Sequence, residues 1–229
     1  SVVLAGFNNV AQPVLVEAND DTKRQLKIFR KMLRFGAFLT FPLLLGLAFI
    51  SKEFVWILLG EKWMGSVFFL QLFCLWGINS YLYSLYSTLL LSHSKSNLYM
   101  AQTIILFSLQ LLCLFLCSHY GVDVKFSLAF CVGIYLLSTF GWHYFANQLI
   151  GIRIRNVVRD LLPYAGATII AIGVAWLVSR AAVDLYVSLV IKIIITAVIY
   201  ATLLWFAGST LLRESILYFK ISVNEERSR

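Results

Sequence analysis

A chain of 229 residues that is 60% hydrophobic and 13% charged, with a mean hydropathy of +0.83, is not a soluble domain, in which about a quarter of residues carry charge. The net charge of +8 would point to nucleic acid in a soluble protein, but here the cations lie between apolar blocks and not along one patch, so no nucleic-acid partner is expected. Cys74, Cys113, Cys117 and Cys131 all fall inside apolar blocks without Cys-x-x-Cys spacing, which makes them small buried hydrophobes and not a metal or redox site.

The opening Val2 to Val16 is short and broken by Asn8, Asn9 and Pro13, and it reads as the tail of a helix that begins earlier; nothing in it has the pattern of a signal peptide. Between Asp20 and Arg34 the cations Lys23, Lys27, Arg30, Lys31 and Arg34 recur at helical spacing, while Leu26, Phe29 and Leu33 fall on another face. This predicts a helix along the cytoplasmic interface. Its cations either anchor the chain among lipid headgroups or attract a pyrophosphate-bearing substrate headgroup.

Six apolar blocks of membrane-spanning length follow, roughly Phe35 to Leu59, Ser66 to Leu91, Leu98 to Ser118, Phe126 to Leu149, Leu161 to Val183 and Tyr186 to Ala207. The expected fold is therefore all-α, a polytopic transmembrane helix bundle of about six spans. Lys52 and Glu53 interrupt the first block, so its membrane part is expected to end near Ile50, and Pro42 predicts a kink at Phe41–Pro42. Counting Lys and Arg on alternating sides gives 14 against 4, with Lys192 inside the sixth span to complete the total of 19. The excess marks the cytoplasmic side and places both ends of the segment there. The inner membrane is the expected location. The organisation is then 1–34 as the end of a preceding helix plus a basic interfacial segment, 35–149 as four spans, 150–207 as two further spans, and 208–229 as a cytoplasmic tail.

The second block carries the most suggestive polar pattern: Gly77, Ser80, Ser84 and Ser87 share one helical face, with Asn79, Tyr83 and Tyr86 beside it. Hydroxyls next to aromatic rings suit a sugar in a polar cavity, yet small residues and serines are also the usual contacts between membrane helices, so both readings stand. In the third block Gln102 and Gln110 lie on one face about two turns apart and could meet the serine face. The fourth adds Tyr135, Ser138, Thr139 and Trp142, then His143 and Asn147; Trp142 and Tyr144 are expected in an interfacial belt. Asn79, Ser80, Tyr83, Ser84, Ser87, Gln102, Gln110, Tyr135 and Ser138 are the substrate-cavity candidates. Ala167, Ala171 and Ala175 in the fifth block form a small-residue packing stripe, and Lys192 in the sixth is expected to extend to the headgroups.

No catalytic constellation emerges. His93, His119 and His143 lie on different connectors or spans, and no pair has metal-ligand spacing, so neither a metal nor a cofactor is expected. The acidic residues all fall outside the spans or at their ends, which leaves no intramembrane carboxylate for a proton or sodium relay in this segment.

At Leu58-Leu59-Gly60-Glu61-Lys62-Trp63, and from Pro13 through Asp20-Asp21 to Phe41-Pro42, the sequence resembles the polysaccharide transporter family, specifically Wzx-type flippases of the superfamily that includes the MATE drug exporters. One departure is Val14-Leu15-Val16, where relatives often carry a serine. The resemblance, taken to run through the whole chain, implies two six-helix lobes around a central cavity, often with two extra C-terminal helices. This chain would hold the later helices of the second lobe and the extra pair; a first lobe earlier in the same protein would complete it. The implied activity is movement of an undecaprenyl-pyrophosphate-linked oligosaccharide to the periplasmic leaflet, for lipopolysaccharide or exopolysaccharide assembly, with membrane lipids as the other partner. The rival readings are a membrane-embedded polymerase or glycosyltransferase, a MATE-like small-molecule exporter, and a structural membrane subunit.

Overall fold

The computed structural model describes residues 15–19, 21–180 and 185–206. Among them every regular element is helical: α1 (Thr22–Phe49), α2 (Ser51–Leu59), a 3-10 turn (Glu61–Ser66), α3 (Val67–Ser92), α4 (Ser96–His119), α5 (Val124–Ile150), α6 (Ile154–Ser179) and α7 (Leu185–Phe206). Six stretches are long and apolar enough to cross a membrane: α1, the 3-10 turn with α3, and α4 to α7. At 1.5 Å per residue the long helices reach roughly 33–42 Å, more than the ~30 Å hydrocarbon core. Ile104, Ile105, Phe107, Leu111, Leu112 and Phe115 of α4 are exposed, a surface that lipid covers and water would not. The chain is a multi-pass membrane protein.

Local chemistry sets the element ends. Asp21 caps α1 by accepting from the backbone N–H of Lys23 at 2.9 Å and of Arg24 at 3.1 Å. The basic segment and the first apolar block form one continuous helix, with Pro42 inside it, and the break falls at Ile50. The Leu58-to-Trp63 run is the turn into the next span: Gly60 ends α2 at φ 84, a left-handed conformation that glycine adopts without penalty, and its carbonyl accepts from Trp63 N–H at 3.1 Å. Gly151 ends α5 in the left-handed helical conformation, at φ 65. Helix α6 begins at Ile154, seven residues before its apolar block, because Arg155, Arg159 and Asp160 form polar turns that hydropathy does not count. Pro13, Val14, Asp20 and the 208–229 tail lie outside the described residues.

The chain divides into two compact units, Ser1–Leu161 and Leu162–Arg229. In the first, α3 is central and packs against α1, α4 and α5. Its core gathers at one end of the bundle, from Phe29 and Leu33 of α1, Tyr81, Leu85, Tyr86, Leu89 and Leu90 of α3, and Trp142, Ala146 and Ile150 of α5, with Ile152 and Val157. Trp142 is fully buried. The interfacial belt expected for it is therefore corrected: the ring packs edge-on against Tyr83 at a centroid distance of 4.9 Å, whereas Tyr144 is exposed. In the second unit α6 buries Tyr164, Ala167, Thr168, Ala171 and Ala175 at three- and four-residue spacing, and α7 buries Thr196, Tyr200 and Leu204 likewise. Lys192 is half-buried.

One polar contact ties α1 to the connector between α3 and α4. Gln25 is 0% exposed; its amide N–H donates to Leu15 O at 3.1 Å, which leaves its Oε1 to accept from His93 Nε2 at 2.9 Å. Burial, followed by the nearby Lys95 charge, lowers the His93 pKa. The folded state thus prefers the neutral ring, so this contribution to stability is complete above the unfolded value of about 6.5 and is lost as pH falls through the lower folded value. Thermal unfolding of the full-length protein in neutral-lipid nanodiscs should therefore drop between pH 7.5 and 5.5, and His93→Gln should flatten that dependence. A wild-type profile flat over this range would remove His93 from the account.

Candidate functional site

The cations predicted on one face of α1 do gather. A groove of about 420 Å³ is lined, among the described residues, by Lys23, Leu26, Lys27, Arg30 and Arg34. These positions step by three or four residues, so they form one stripe of roughly 16 Å along the helix. Lys31 lies off the groove and is exposed. Arg34 Nε donates to Arg30 O at 3.3 Å, which fixes its stem to the preceding turn.

Arg30 is the exception to a purely open cationic face. Its Nε donates to Asp160 Oδ2 at 2.6 Å and its Nη2 to Asp160 Oδ1 at 2.9 Å, a two-pronged pair between α1 and the first turns of α6. Asp160 is 7% exposed and Arg30 34% exposed, so one partner is buried and the other reaches the groove. A single sequence could not reveal this partner, because 130 residues separate the two. The available signal was a lone acid at the start of an apolar block, next to Arg153, Arg155 and Arg159.

The polar groups of α3, α4 and α5 come together as well, and they meet protein atoms. Asn79 is 3% exposed; its Nδ2 donates to Tyr135 O at 2.9 Å and its Oδ1 accepts from Thr139 Oγ1 at 2.6 Å, which satisfies both ends of the amide between α3 and α5. Tyr83 and Thr103 hydroxyls meet at 3.3 Å across α3 and α4. Gln110 Nε2 donates to Cys131 O at 3.3 Å, and the Gln102 amide lies over Gly141, where an added Cβ would stand 2.8 Å from its Nε2. Ser87 Oγ donates to Ser84 O at 2.9 Å, and Ser138 Oγ to Tyr135 O at 2.7 Å, each back-bonding within its own helix. Ser84, Ser87 and Tyr135 are buried, and Ser80 is half-buried. The structure thus sets Asn79, Tyr83, Gln102 and Gln110 against neighbouring helices of the α3–α4–α5 packing, while Ser87 and Ser138 bond to the preceding turn of their own helices. Among the described residues no group of three His, Cys, Asp or Glu side chains could hold a metal.

The groove helix and the turn at Gly60 both fall in the part of the chain that comparison with known proteins recognises. Residues 1–68 match a family described as "Polysaccharide biosynthesis protein". Over this stretch the chain is similar to polysaccharide biosynthesis proteins. One curated relative, described as an uncharacterized membrane protein in the cps region of Klebsiella pneumoniae, is 36% identical over 92 residues, which is 40% of this chain and 19% of the relative. Another, the lipopolysaccharide biosynthesis protein WzxC of Escherichia coli (strain K12), is 36% identical over 72 residues, 31% of this chain and 15% of the relative. The matched stretches thus span less than a fifth of either relative's length. No solved structure matches. The resemblance to Wzx-type proteins holds, and the family match covers the first 68 residues where a likeness through the whole chain was expected.

Proposed function

We propose that this chain is part of a flippase that moves a lipid-linked oligosaccharide across the bacterial inner membrane for lipopolysaccharide or exopolysaccharide biosynthesis. The observation that carries the reading is the cationic groove of Lys23, Lys27, Arg30 and Arg34, which lies wholly within the stretch similar to polysaccharide biosynthesis proteins. Its chemistry fits the headgroup such a substrate brings: a diphosphate is the most strongly charged part of the molecule and is the hardest to take out of water. Lysines hold it as point charges, and arginines grip its oxygens in pairs. The polyprenyl chain needs no such site, because it stays in lipid while the glycan crosses shielded from hydrocarbon.

On this reading the groove opens to the cytoplasm, as do both ends of the segment, which agrees with the excess of Lys and Arg on that side. The first lobe would come from another part of the same protein and supply the opposite wall of the pathway, and rotation of one lobe against the other would expose it to each leaflet in turn. The chain itself performs no covalent chemistry.

The test uses membrane vesicles from cells with the full-length parent, following whether labelled lipid-linked oligosaccharide becomes accessible to an impermeant glycosidase on the periplasmic face. Lys27→Glu with Arg34→Glu should slow exposure by about tenfold or more, since each lost charged contact is worth on the order of 1.5 kcal/mol. Lys52→Gln, on the other side, should leave it unchanged. Equal exposure with and without the parent, together with altered polymer length, would replace the flippase with a membrane enzyme.

A further inference from the structure

The groove holds four cations on successive turns of one helix, and among the described residues a single carboxylate, that of Asp160, is bound to them. Like charges three or four residues apart repel by a few tenths of a kcal/mol per pair, so the stripe favours any anion that can enter. Asp160 already occupies one of these cations in the geometry a phosphate oxygen pair would adopt, with Arg30 Nε and Nη2 presenting two parallel N–H groups to two oxygens. Arg30 lines the groove, whereas Asp160 approaches it from the first turns of α6. An anion arriving at Lys23, Lys27 and Arg34 therefore meets a guanidinium whose best donors are committed to a carboxylate from another helix.

We propose that Asp160 is an internal counter-ion that a phosphate or diphosphate exchanges for, so that anion binding in the groove frees the start of α6 from α1. The inference rests on the proposed function only for the identity of the diphosphate carried; the exchange requires nothing but the anion. A diphosphate offers more charge than one carboxylate and can touch Arg30 and its neighbours at once, whereas Asp160 neutralises Arg30 alone. When the anion leaves, the carboxylate closes the pair again, which keeps the guanidinium satisfied between ligands. By reciprocity, whatever the anion does to weaken the Arg30–Asp160 contact, that contact does to weaken the anion. The same link passes headgroup occupancy to a helix that crosses the boundary between the two compact units.

The experiment uses the full-length protein in nanodiscs of neutral phosphatidylcholine, titrated with inorganic pyrophosphate by calorimetry. Asp160→Asn keeps the shape and removes the competing charge, so pyrophosphate should bind about five- to tenfold tighter, the equivalent of one partly exposed charged pair. Arg30→Gln should weaken binding by a similar factor. Unchanged or weaker binding in Asp160→Asn would overturn the exchange. A second measurement leaves the pair intact: spin labels at the exposed positions Thr22 and Val158 of the otherwise unaltered protein should show a longer or broader distance distribution with saturating pyrophosphate. Replacing part of the neutral lipid with phosphatidylglycerol, without pyrophosphate, separates the sources. Movement with the lipid alone assigns the exchange to a bilayer headgroup, movement with pyrophosphate alone assigns it to a diphosphate, and movement with neither overturns it. None of these measurements involves transport, so anion exchange without glycan exposure in vesicles would sink the flippase and keep the site, and exposure without exchange would do the reverse.

Discussion

Trp142→Ala will destabilise the first compact unit by about 3 kcal/mol, while Trp142→Phe will change it by less than about 1 kcal/mol. The indole is fully buried against Tyr83, at 4.9 Å edge-on, and Tyr99, at 5.9 Å. Truncation leaves a void between α3, α4 and α5 that three packed helices close only in part. The loss falls at the low end of the range for large-to-small changes because lipid, unlike water, gives little driving force to bury an apolar ring. Phenylalanine behaves differently for a specific reason. Among the described residues Trp142 Nε1 is buried with no hydrogen-bond partner, so removing it relieves an unsatisfied donor that costs about 1–3 kcal/mol and offsets the smaller ring's lost contacts. Denaturant unfolding of the full-length protein in micelles checks both. If the two variants lose the same amount, the N–H has a partner and this account of the core is wrong.

Gly36→Ala will destabilise by at least about 2 kcal/mol, although a helical glycine replaced by alanine ordinarily gains roughly 1 kcal/mol. An added Cβ at Gly36 would fall on the ring of Tyr81, at its Cε2, Cζ and hydroxyl. That ring has nowhere to go. It is 4% exposed, and its one hydroxyl proton is shared between Met32 O at 2.6 Å and Leu33 O at 3.1 Å, so moving it breaks a buried bond between α3 and α1. Gly46, ten residues further along α1, has open space where its Cβ would stand, and Gly46→Ala should give the ordinary gain. The difference in sign between two glycines of one helix is the measurement; a gain at both positions would mean that α1 and α3 do not pack at Gly36.

These two residues show where a reading of one sequence stops. Hydropathy identifies each apolar block, but it reports only that a ring or a gap lies in a span, not which neighbour faces it. Trp142 sits near the end of its block, where aromatics commonly meet headgroups, and only the approach of Tyr83 and Tyr99 moves it into the core. The serine, asparagine and glutamine faces were legible as polar, and whether they meet substrate or protein was not. Their hydrogen bonds run to carbonyls and hydroxyls on other helices or on the preceding turn, and those partners depend on how the helices rotate about their axes.

The basic stripe was legible for the opposite reason. Lys23, Lys27, Arg30 and Arg34 are close because they are neighbours on one helix, so the 3.6-residue period alone brings them together. What the period could not supply is the carboxylate across from Arg30, since the pairing of α1 with α6 closes a loop of 130 residues. The sequence by itself determined the properties that depend on local composition and solvent: an all-helical chain, six spans, their approximate lengths and a cationic helix at the start of the first. Lipid imposes these one helix at a time, because each backbone must satisfy its own hydrogen bonds before helices meet. Only the tertiary structure decided which polar groups are already partnered, that Gly36 must stay bare, and that Arg30 is held by Asp160. Those are properties of pairs distant in the chain, and in a bilayer they are chosen by close packing and hydrogen bonds between helices that hydropathy treats as equivalent.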